Sequence, residues 1–496
     1  MSLSVGLGGV DRNACVSLCS GSQVLAVCEQ ERITRVRADS FNTTGLPDEA
    51  LDTLLTRSGH RRADVSRYAL AEPAQPPAGI DVVRVDHHLA HAYAAFLPSS
   101  FESAAIVVCD TEFPQVSLWE GSGTTVTRIP FDWYGPAFAD VYALCAETLG
   151  FTGAGRQQRM EAMARLAPNR YDDRATELVG LNGDRLRLAP NWQARIEDWK
   201  AAGGHDETAA VAAALQTRIG DLLIEFLTQT LRRTTSRSLC VGGGLFHNSY
   251  FNSRVKRCPE VEAVFVPTNP GNAGLALGLS LHVSGAARQP VTPFLGPSYD
   301  REEIKSTLDN CKLTYQWMSE ADTTALAVRS LKNGRLVGWF DGPMEWGPRA
   351  LGARSILANP FAPYALDNLN RFLKQRASWR GYALSGIEAA VHEHFDGPTS
   401  SPFMECDFVP LDPSRFREIL PTMSAGVRVQ TVGSGAPPRF RALLRAFGEA
   451  TGIPIVVNTS FNGLSEPIVC SPRDAVRVFY GTGIDILIAG NFVVSK

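Results

Sequence analysis

The chain has 496 residues, more than the roughly 250–300 at which a single hydrophobic core stops growing, so two domains are expected. Hydrophobic residues make up 44% and charged residues 20%, with a formal net charge of -3, which excludes a strongly basic surface for nucleic acid or membranes. The ten cysteines form no Cys-x-x-Cys pair, and neither a signal-peptide pattern nor a bilayer-spanning apolar run is present. A reduced, cytoplasmic setting is therefore expected.

The first half of the chain alternates strand and helix patterns, as an α/β protein does. Residues 207–233 are the clearest helix, because apolar side chains recur there at helical spacing, namely Ile219, Leu222, Leu223, Phe226 and Leu227. The other predicted elements, in chain order, are a hairpin of strands at 3–10 and 24–33, a buried strand at 104–109, strands at 238–241 and 263–266, and a helix that begins at 271–274.

Residues 284–297 mix proline and glycine with little periodicity, which is typical of a linker. We therefore predict two domains, 1–290 and 291–496. The α/β pattern restarts beyond the linker, with a strand at 335–340, helices at 365–373 and 439–450, and a strand at 453–457.

The sharpest motif of the first half is a histidine cluster that begins after Asp86. On a helix, His87 and His91 would share one face, and two imidazoles at that spacing can bind one transition metal. Asp110, which ends the predicted strand at 104–109, is a candidate third ligand. The alternative is a chance clustering of histidines in a polar helix cap.

Three glycines, Gly242 to Gly244, follow the strand at 238–241. Glycines let the main chain approach a ligand closely and supply N–H donors for phosphate. A tight strand-to-helix turn explains the same pattern equally well.

The second half carries cationic motifs that suit phosphate. Arg349 and Arg354 lie among glycines and prolines in the segment 342–357, and an arginine guanidinium can bind phosphate through two hydrogen bonds. A surface turn with incidental arginines is the alternative. Lys374, Arg376 and Arg380 surround one tryptophan, which favours a small polyanion over RNA because the rest of the chain lacks a basic surface.

Two further segments complete the pattern. Arg428 lies on a predicted strand, and residues 458–462 place Asn458, Ser460 and Asn462 directly after another strand. Amide and hydroxyl groups can hydrogen-bond an adenylate or a carbamoyl amide, although an Asx-rich turn has the same composition. Together the cations and polar groups indicate a small anionic substrate with several phosphates.

These motifs resemble those of the O-carbamoyltransferase family that includes the nebramycin, cephalosporin and novobiocin-type tailoring enzymes and the nodulation carbamoyltransferases. The resemblance covers nearly the whole chain and is most specific at 345–357, 428–432, 458–462 and 466–469. It implies an α/β chain whose N-terminal domain is actin-like (Kae1/TsaD-like, duplicated RNase H-like). Its C-terminal domain is expected to be YrdC/Sua5-like.

The resemblance implies that the C-terminal domain makes carbamoyl-adenylate from carbamoyl phosphate and ATP, and that the N-terminal domain passes the carbamoyl group to a hydroxyl of a small molecule. The expected catalytic residues are His87, Arg349, Lys374 and Arg428. The expected substrate-binding residues are Arg349, Arg354, Lys374, Arg376, Arg428, Asn458, Ser460 and Asn462. The expected nucleotide-binding residues are Gly242, Gly243, Gly244 and Asn248, and the expected metal ligands are His87, His91, Asp110 and Asn272.

The resemblance also implies ATP as co-substrate with Mg²⁺, and a divalent metal for which Fe(II) is the leading expectation. Asn272 stands where the family has an aspartate ligand, and a neutral amide binds a divalent cation less strongly, so a weaker, different or lost metal is expected. Three other segments differ from the family. Residues 10–13 stand where the family has a His-Asp pair after its first strand. Residues 155–161 place Arg near the Lys of the family's Gly/Lys/Met-Gly segment, and residues 424–427 replace an Asp-Gly-Thr.

The expected partners are carbamoyl phosphate and a hydroxylated acceptor, with neither nucleic acid nor a membrane. The sequence leaves the oligomeric state open, a homodimer included. Two other functions stay open as well. One is a threonylcarbamoyl-type modification of a nucleoside or tRNA, and the other is a degenerate scaffold that binds nucleotide without turnover.

Overall fold

The computed structural model describes residues 2–168, 170–201, 203–420 and 426–496. The chain is mixed α/β, which confirms the predicted class, with two five-stranded sheets in the first half and one ten-stranded sheet in the second. Residues 424 and 425 of the altered segment 424–427 lie outside the described residues. No helix in the described ranges has the length and apolar character needed to cross a bilayer.

The first sheet contains a strand that the sequence analysis missed. The strand order across the sheet is Gln23–Glu29, Cys15–Ser20, Leu3–Gly8, Val65–Ala71 and Val82–Val85. The predicted hairpin between 3–10 and 24–33 is therefore wrong, because Cys15–Ser20 lies between these strands and pairs with both. Five of its six residues are buried, so the strand lacks the apolar–polar alternation by which a strand with one exposed face is recognised.

The second sheet brings two site segments side by side. Its strand order is Ala263–Phe265, Ser238–Gly242, Ser103–Cys109, Val116–Ser122 and Thr125–Ile129. The strands predicted at 104–109, 238–241 and 263–266 are confirmed to within a residue. Ser238–Gly242 runs parallel to Ser103–Cys109, so the glycine turn and Asp110 leave the sheet at the same edge.

Helices cover these sheets. Those of the first half are Gln30–Thr34, Asp48–Arg57, His87–Phe96, Phe138–Thr148, Arg156–Ala164, Asp172–Leu178, Trp192–Ala201, Gly204–Leu231, Ser249–Lys256 and Leu275–Ser284, with 3₁₀ turns at Arg62–Asp64, Gly244–His247 and Asn272–Gly274 and a hairpin of Val179–Leu181 with Leu186–Leu188. The long helix predicted at 207–233 is observed as Gly204–Leu231, and its five predicted apolar residues are all buried.

The helix Leu275–Ser284 fixes the position of the histidine helix. It packs between the strand Leu3–Gly8 and the helix His87–Phe96. A side chain at Gly278 would place its Cβ 2.0 Å from the main-chain oxygen of Ala90, a distance that only a glycine avoids. The histidine helix is therefore held by main-chain contact at close range.

The second half is built on its ten-stranded sheet, in the order Gln316–Trp317, Phe492–Ser495, Ile486–Ala489, Val337–Phe340, Arg354–Ala358, Ile455–Ser460, Leu384–Ile387, Val427–Val432, Cys406–Pro410 and Phe395–Asp396. Its helices are Arg301–Asn310, Glu320–Lys332, Ala365–Asp367, Glu388–His394, Pro438–Thr451 and Pro472–Gly481, with a π-helical turn at Asn368–Leu373 and a 3₁₀ turn at Pro413–Phe416. The predicted strands and helices of this half all have counterparts, and the helix predicted at 365–373 divides into a short α-helix and the π turn.

Polar contacts join the two halves. Lys256 of the first half pairs with Glu405 of the second at 2.7 Å. The Glu29 carboxylate accepts the main-chain N–H of Gly347 at 2.6 Å, and the Arg32 guanidinium donates to the main-chain oxygen of Gly347 at 2.8 Å. These bonds hold the loop that carries Arg349 against the first half.

Candidate active site

Two histidines and an aspartate form a compact cluster. The Nε2 atom of His91 lies 3.4 Å from Asp110 Oδ2, and the Nε2 atom of His87 lies 4.0 Å from Asp110 Oδ1. One ligand atom from each residue lies within 4.8 Å of the other two. Both Nε2 atoms are buried, and neither has a hydrogen-bond partner within the described part of the chain.

The local structure explains how these side chains meet. His87 and His91 lie one turn apart on a helix that is capped by the carboxylate of Asp86. Asp110 directly follows a strand of the second sheet, and its Oδ2 accepts the main-chain N–H of Gly244 at 2.9 Å. Helical spacing and parallel strand pairing therefore bring the three ligands together.

The protonation states of the cluster suit a metal. Burial and the neighbouring His91 lower the pKa of His87 to about 3. Burial alone would raise the pKa of Asp110, but the adjacent imidazoles of His91 and His87 hold it well below its usual range. At neutral pH a neutral imidazole thus faces an ionised carboxylate, as metal binding requires. Two nitrogen donors and one oxygen donor fit a divalent transition metal.

The fourth predicted ligand, Asn272, lies on the segment that backs the glycine turn. Gly243 has a φ of +97°, and a Cβ there would lie 2.0 Å from the main-chain oxygen of Cys109. The N–H of Gly243 donates to the main-chain oxygen of Pro270 at 2.8 Å. Asn272 is the first residue of the next 3₁₀ turn, and its role as a ligand stays a prediction.

The predicted nucleotide-binding residues form a strand end and a helix cap. Gly242 ends its strand, and the exposed Gly244 begins the following 3₁₀ turn. The Asn248 side chain accepts the main-chain N–H groups of Tyr250 at 3.0 Å and Phe251 at 3.2 Å. Asn248 therefore caps a helix, and nucleotide binding by these residues stays a prediction.

A second cluster lies in the second half and contains three predicted residues. The Lys374 ammonium donates to the main-chain oxygen of Ser460 at 2.6 Å and to that of Asn462 at 3.1 Å. The Ser460 hydroxyl donates to Asn462 Oδ1 at 2.7 Å and accepts from the Lys374 ammonium at 3.4 Å. Burial and the charge of Arg376 hold the pKa of Lys374 well below its usual range.

Arg376 is fixed beside this cluster. Its Nε donates to Asn370 Oδ1 at 2.9 Å, and one Nη donates to the main-chain oxygen of Gly381 at 3.0 Å. The guanidinium also lies over the ring of Tyr382, 4.0 Å from its centroid. Burial lowers the pKa of Arg376.

Arg349 reaches the interface between the two halves from the loop 345–354. The fully buried carboxylate of Glu345 organises that loop, because one of its oxygens accepts three main-chain N–H groups of the loop at 2.7 to 3.2 Å. Arg349 donates to the main-chain oxygen of His247 at 3.3 Å. Burial and the charge of Arg428 lower the pKa of Arg349 to about 9.

Arg428 crosses the same interface. Its Nη2 lies 3.0 and 3.2 Å from the two carboxylate oxygens of Glu161, and its Nε donates to the Ser249 hydroxyl at 3.1 Å. Arg165 also pairs with Glu161, at 2.6 Å, and with Asp407, at 2.9 Å. Two arginines therefore share one buried carboxylate.

Several cations in this region act on one another through their charges. Burial lowers the pKa of Arg380 to about 10, and the charges of Arg376 and Arg428 contribute to that shift. Among the described residues, no carboxylate lies within 4.0 Å of Arg349, Lys374, Arg376 or Arg380. Cations held close together without counter-anions indicate a site for an anionic ligand.

Arg354, a predicted substrate-binding residue, is buried within the second half, and its substrate role stays a prediction. This side chain points into the sheet, where its guanidinium donates to five main-chain carbonyls and lies 3.7 Å from the ring centroid of Phe340. Its donors are thus engaged in structural contacts. Asn458 is also buried, and its amide donates to the Ser385 hydroxyl at 3.0 Å while its oxygen has no partner in the described ranges. Its substrate role stays a prediction.

Two residues of this region were not predicted. Glu161 binds two arginines, and His247 lies beside Arg349 with its pKa lowered to about 4 by burial and by the Arg349 charge. The position of each in the sequence could have indicated it. Glu161 ends the segment 155–161, where the resembled family has the glycine of its Met-Gly pair, and His247 lies three residues after the last of the three glycines.

Family models match both halves of the chain. Residues 78–281 match the carbamoyltransferase N-terminus, and residues 328–496 match the carbamoyltransferase C-terminus. The nodulation protein NolO of Bradyrhizobium diazoefficiens is 30% identical over 83% of this chain and 79% of its own length. A 3'-hydroxymethylcephem-O-carbamoyltransferase of Amycolatopsis lactamdurans is 27% identical over 77% of this chain and 76% of its own length.

These matches define a transferase enzyme. More particularly, the chain belongs to the carbamoyltransferase family, which confirms the resemblance seen in the motifs. Among solved structures, full-length HypF in its phosphate- and nucleotide-bound form is 12% identical and covers 57% of this chain and 55% of that chain, with a TM-score of 0.43.

Proposed function

We propose that this carbamoyltransferase uses ATP to activate carbamoyl phosphate as carbamoyl-adenylate and then transfers the carbamoyl group to a hydroxyl of a small molecule. The observation that carries the proposal is the set of cations Arg349, Lys374, Arg376 and Arg380, which have no carboxylate partner within the described residues. A phosphate-bearing donor and ATP supply the missing negative charge.

Atom balance sets the order of activation. Carbamoyl phosphate loses its phosphate to water and gives carbamate, and a carbamate oxygen then attacks the α-phosphorus of ATP while pyrophosphate leaves. We assign Lys374, Arg349 and Arg428 to the neutralisation of phosphate charge during these steps. Ser460 and Asn462, fixed by hydrogen bonds beside Lys374, hold the donor in place.

In the transfer step the acceptor oxygen bonds to the carbamoyl carbon, the hydroxyl proton goes to a base or to solvent, and AMP leaves. His87, His91 and Asp110 would hold a divalent metal, which when bound supplies a Lewis acid at this site. A hydroxyl acceptor is supported by the relative that is named as an O-carbamoyltransferase of hydroxymethylcephem. We also propose that residues 1–290 form a Kae1-like transfer domain and 291–496 a YrdC-like activating domain.

The decisive experiment is an assay of pyrophosphate release by the pure protein with ATP and carbamoyl phosphate and no acceptor. The wild type should release pyrophosphate and form carbamoyl-adenylate. Arg428→Ala and Asn462→Ala should abolish both, whereas Arg329→Ala, at an exposed helix position, should not. No turnover by the wild type would favour a degenerate scaffold, and full activity of both site variants would remove the site assignment.

A further inference from the structure

The carboxylate of Glu161 lies among three arginines at the boundary between the two halves. It accepts hydrogen bonds from Arg165, from Arg428 and from the N–H and hydroxyl of Ser249, the last two at 3.0 and 2.6 Å. Burial alone would raise the pKa of Glu161, but the charges of Arg428, Arg165 and Arg349 lower it to about 2. Glu161 is therefore ionised at any physiological pH.

This carboxylate occupies one edge of the Arg428 guanidinium. Nη2 is bound to Glu161 and Nε is bound to Ser249, both from the first half of the chain. In the described ranges Glu161 supplies the only carboxylate within 4.0 Å of Arg428. The Nη1 of Arg428 has no hydrogen bond to a described residue, so one edge remains for a ligand.

We propose that Glu161 is a resident counter-anion that sets the affinity of this enzyme for carbamoyl phosphate. The inference rests on the proposed function, because it takes Arg428 as part of the donor site. Glu161 keeps Arg428 and Arg165 together in the empty site, and its negative charge opposes a phosphate dianion that approaches the same guanidinium. The donor is therefore held less tightly than the arginines alone would hold it.

A lower affinity for phosphate suits a site that must also release its phosphate products. Inorganic phosphate and pyrophosphate both leave in the proposed activation, and both are anions that the same cations attract. A carboxylate on the opposite side of Arg428 lowers the affinity for the donor and for these products alike. Glu161 is thus a positioning residue for Arg428 that acts without touching the donor.

The test compares the binding of two probes, carbamoyl phosphate and inorganic phosphate, by isothermal titration calorimetry. Glu161→Gln, which keeps the size of the side chain and removes its charge, should bind both about fivefold tighter or more than the wild type. Glu161→Asp, which keeps the charge, should stay within about twofold of the wild type. Glu161→Met is a second neutral variant in case the glutamine variant fails to fold.

Glu405→Gln is the matched control. Glu405 is also an interface acid, paired with Lys256 at 2.7 Å, but it does not contact Arg428. Its removal breaks an ion pair between the halves without changing the charge beside Arg428, so donor affinity should not change. Equal or weaker binding in the neutral Glu161 variants, or tighter binding in Glu405→Gln, would overturn the inference. Absence of binding by the wild type would instead overturn the proposed function and this inference with it.

Discussion

The ammonium of Lys374 lies 2.6 Å from the main-chain oxygen of Ser460, although 86 residues separate the two in sequence. The lysine follows a π-helical turn, and the serine ends a central strand of the large sheet. Among the described residues, the hydrogen-bond partners of the Lys374 side chain are neutral oxygens of Ser460 and Asn462. Only neutral oxygens of the described residues contact this buried amine, so an anionic ligand would favour its protonated form.

Replacement of Lys374 should separate function from stability. Lys374→Met removes a charge that helps to neutralise phosphate, so pyrophosphate release should fall about 100-fold or more. Burial of an uncompensated cation opposes folding, so the ligand-free variant should melt at a higher temperature than the wild type. Both quantities can be measured on one preparation, by a coupled pyrophosphate assay and by calorimetry.

Lys332→Met is the control for that experiment. Lys332 is exposed on a helix of the same half, and its loss should change neither quantity. If Lys374→Met lowers the melting temperature and keeps full pyrophosphate release, the lysine is a structural residue and the donor site lies elsewhere.

Glu345 organises the loop that carries Arg349. Glu345→Gln keeps an acceptor oxygen but loses the charge that three main-chain N–H groups share, so the free energy of unfolding should fall by about 2 kcal/mol. Because the loop then holds Arg349 less firmly, the KM for carbamoyl phosphate should rise more than kcat falls. Urea unfolding and steady-state kinetics test both effects.

Glu302 provides the comparison for Glu345, since it is an exposed glutamate in the same half. Glu302→Gln should match the wild type in stability and kinetics. A Glu345→Gln variant with wild-type stability would show that the loop does not depend on this carboxylate.

The sequence predicted local relationships better than distant ones. Helical spacing placed His87 and His91 on one face, because that relationship depends on the turn of a single helix. Their meeting with Asp110 was proposed without a known geometry, since it depends on which strands are neighbours. The parallel pairing of Ser103–Cys109 with Ser238–Gly242 supplies that geometry.

The roles of the arginines were the least predictable. Arg349 and Arg354 lie five residues apart in one motif, yet only Arg349 reaches the interface between the halves. Arg354 begins a central strand and points into the sheet, so its charge meets main-chain carbonyls. Arg349 lies on the loop before this strand, so the position at which the chain passes from loop to strand separates the surroundings of the two arginines.

The metal cluster can be tested by metal content as well as by activity. His87→Ala removes one of the three candidate ligands. After reconstitution, the purified variant should retain at most about one tenth of the Fe(II) that the wild type binds, as measured by plasma mass spectrometry. Pyrophosphate release without acceptor should be unchanged, because activation is assigned to the other half, while carbamoyl transfer to an acceptor should fall.

His88 offers a matched control on the same helix. Its ring nitrogens contact the Ser117 hydroxyl at 2.7 Å and the main-chain oxygen of Glu112 at 3.1 Å rather than any of the three ligands. His88→Gln can keep such hydrogen bonds and should retain the metal. Equal metal loss in both variants would indicate a general structural effect, and equal loss of activation and transfer in His87→Ala would contradict the division of labour between the halves.

The buried carboxylate of Glu161 should give the stability of the protein a specific pH dependence. Its pKa is lowered to about 2 in the folded protein from an ordinary value of 4.5, so its stabilising contribution is fully present above pH 4.5 and is lost as the pH falls towards 2. Glu161→Gln lacks this contribution at every pH. The wild type should therefore exceed Glu161→Gln in free energy of unfolding by on the order of 3 kcal/mol at pH 7, and the gap should narrow below pH 4.5. Urea unfolding of both proteins at pH 7, 5, 4 and 3.5 measures that gap directly. A gap that stays constant across this range would mean that Glu161 is not held ionised by Arg428 and Arg165 in the folded protein.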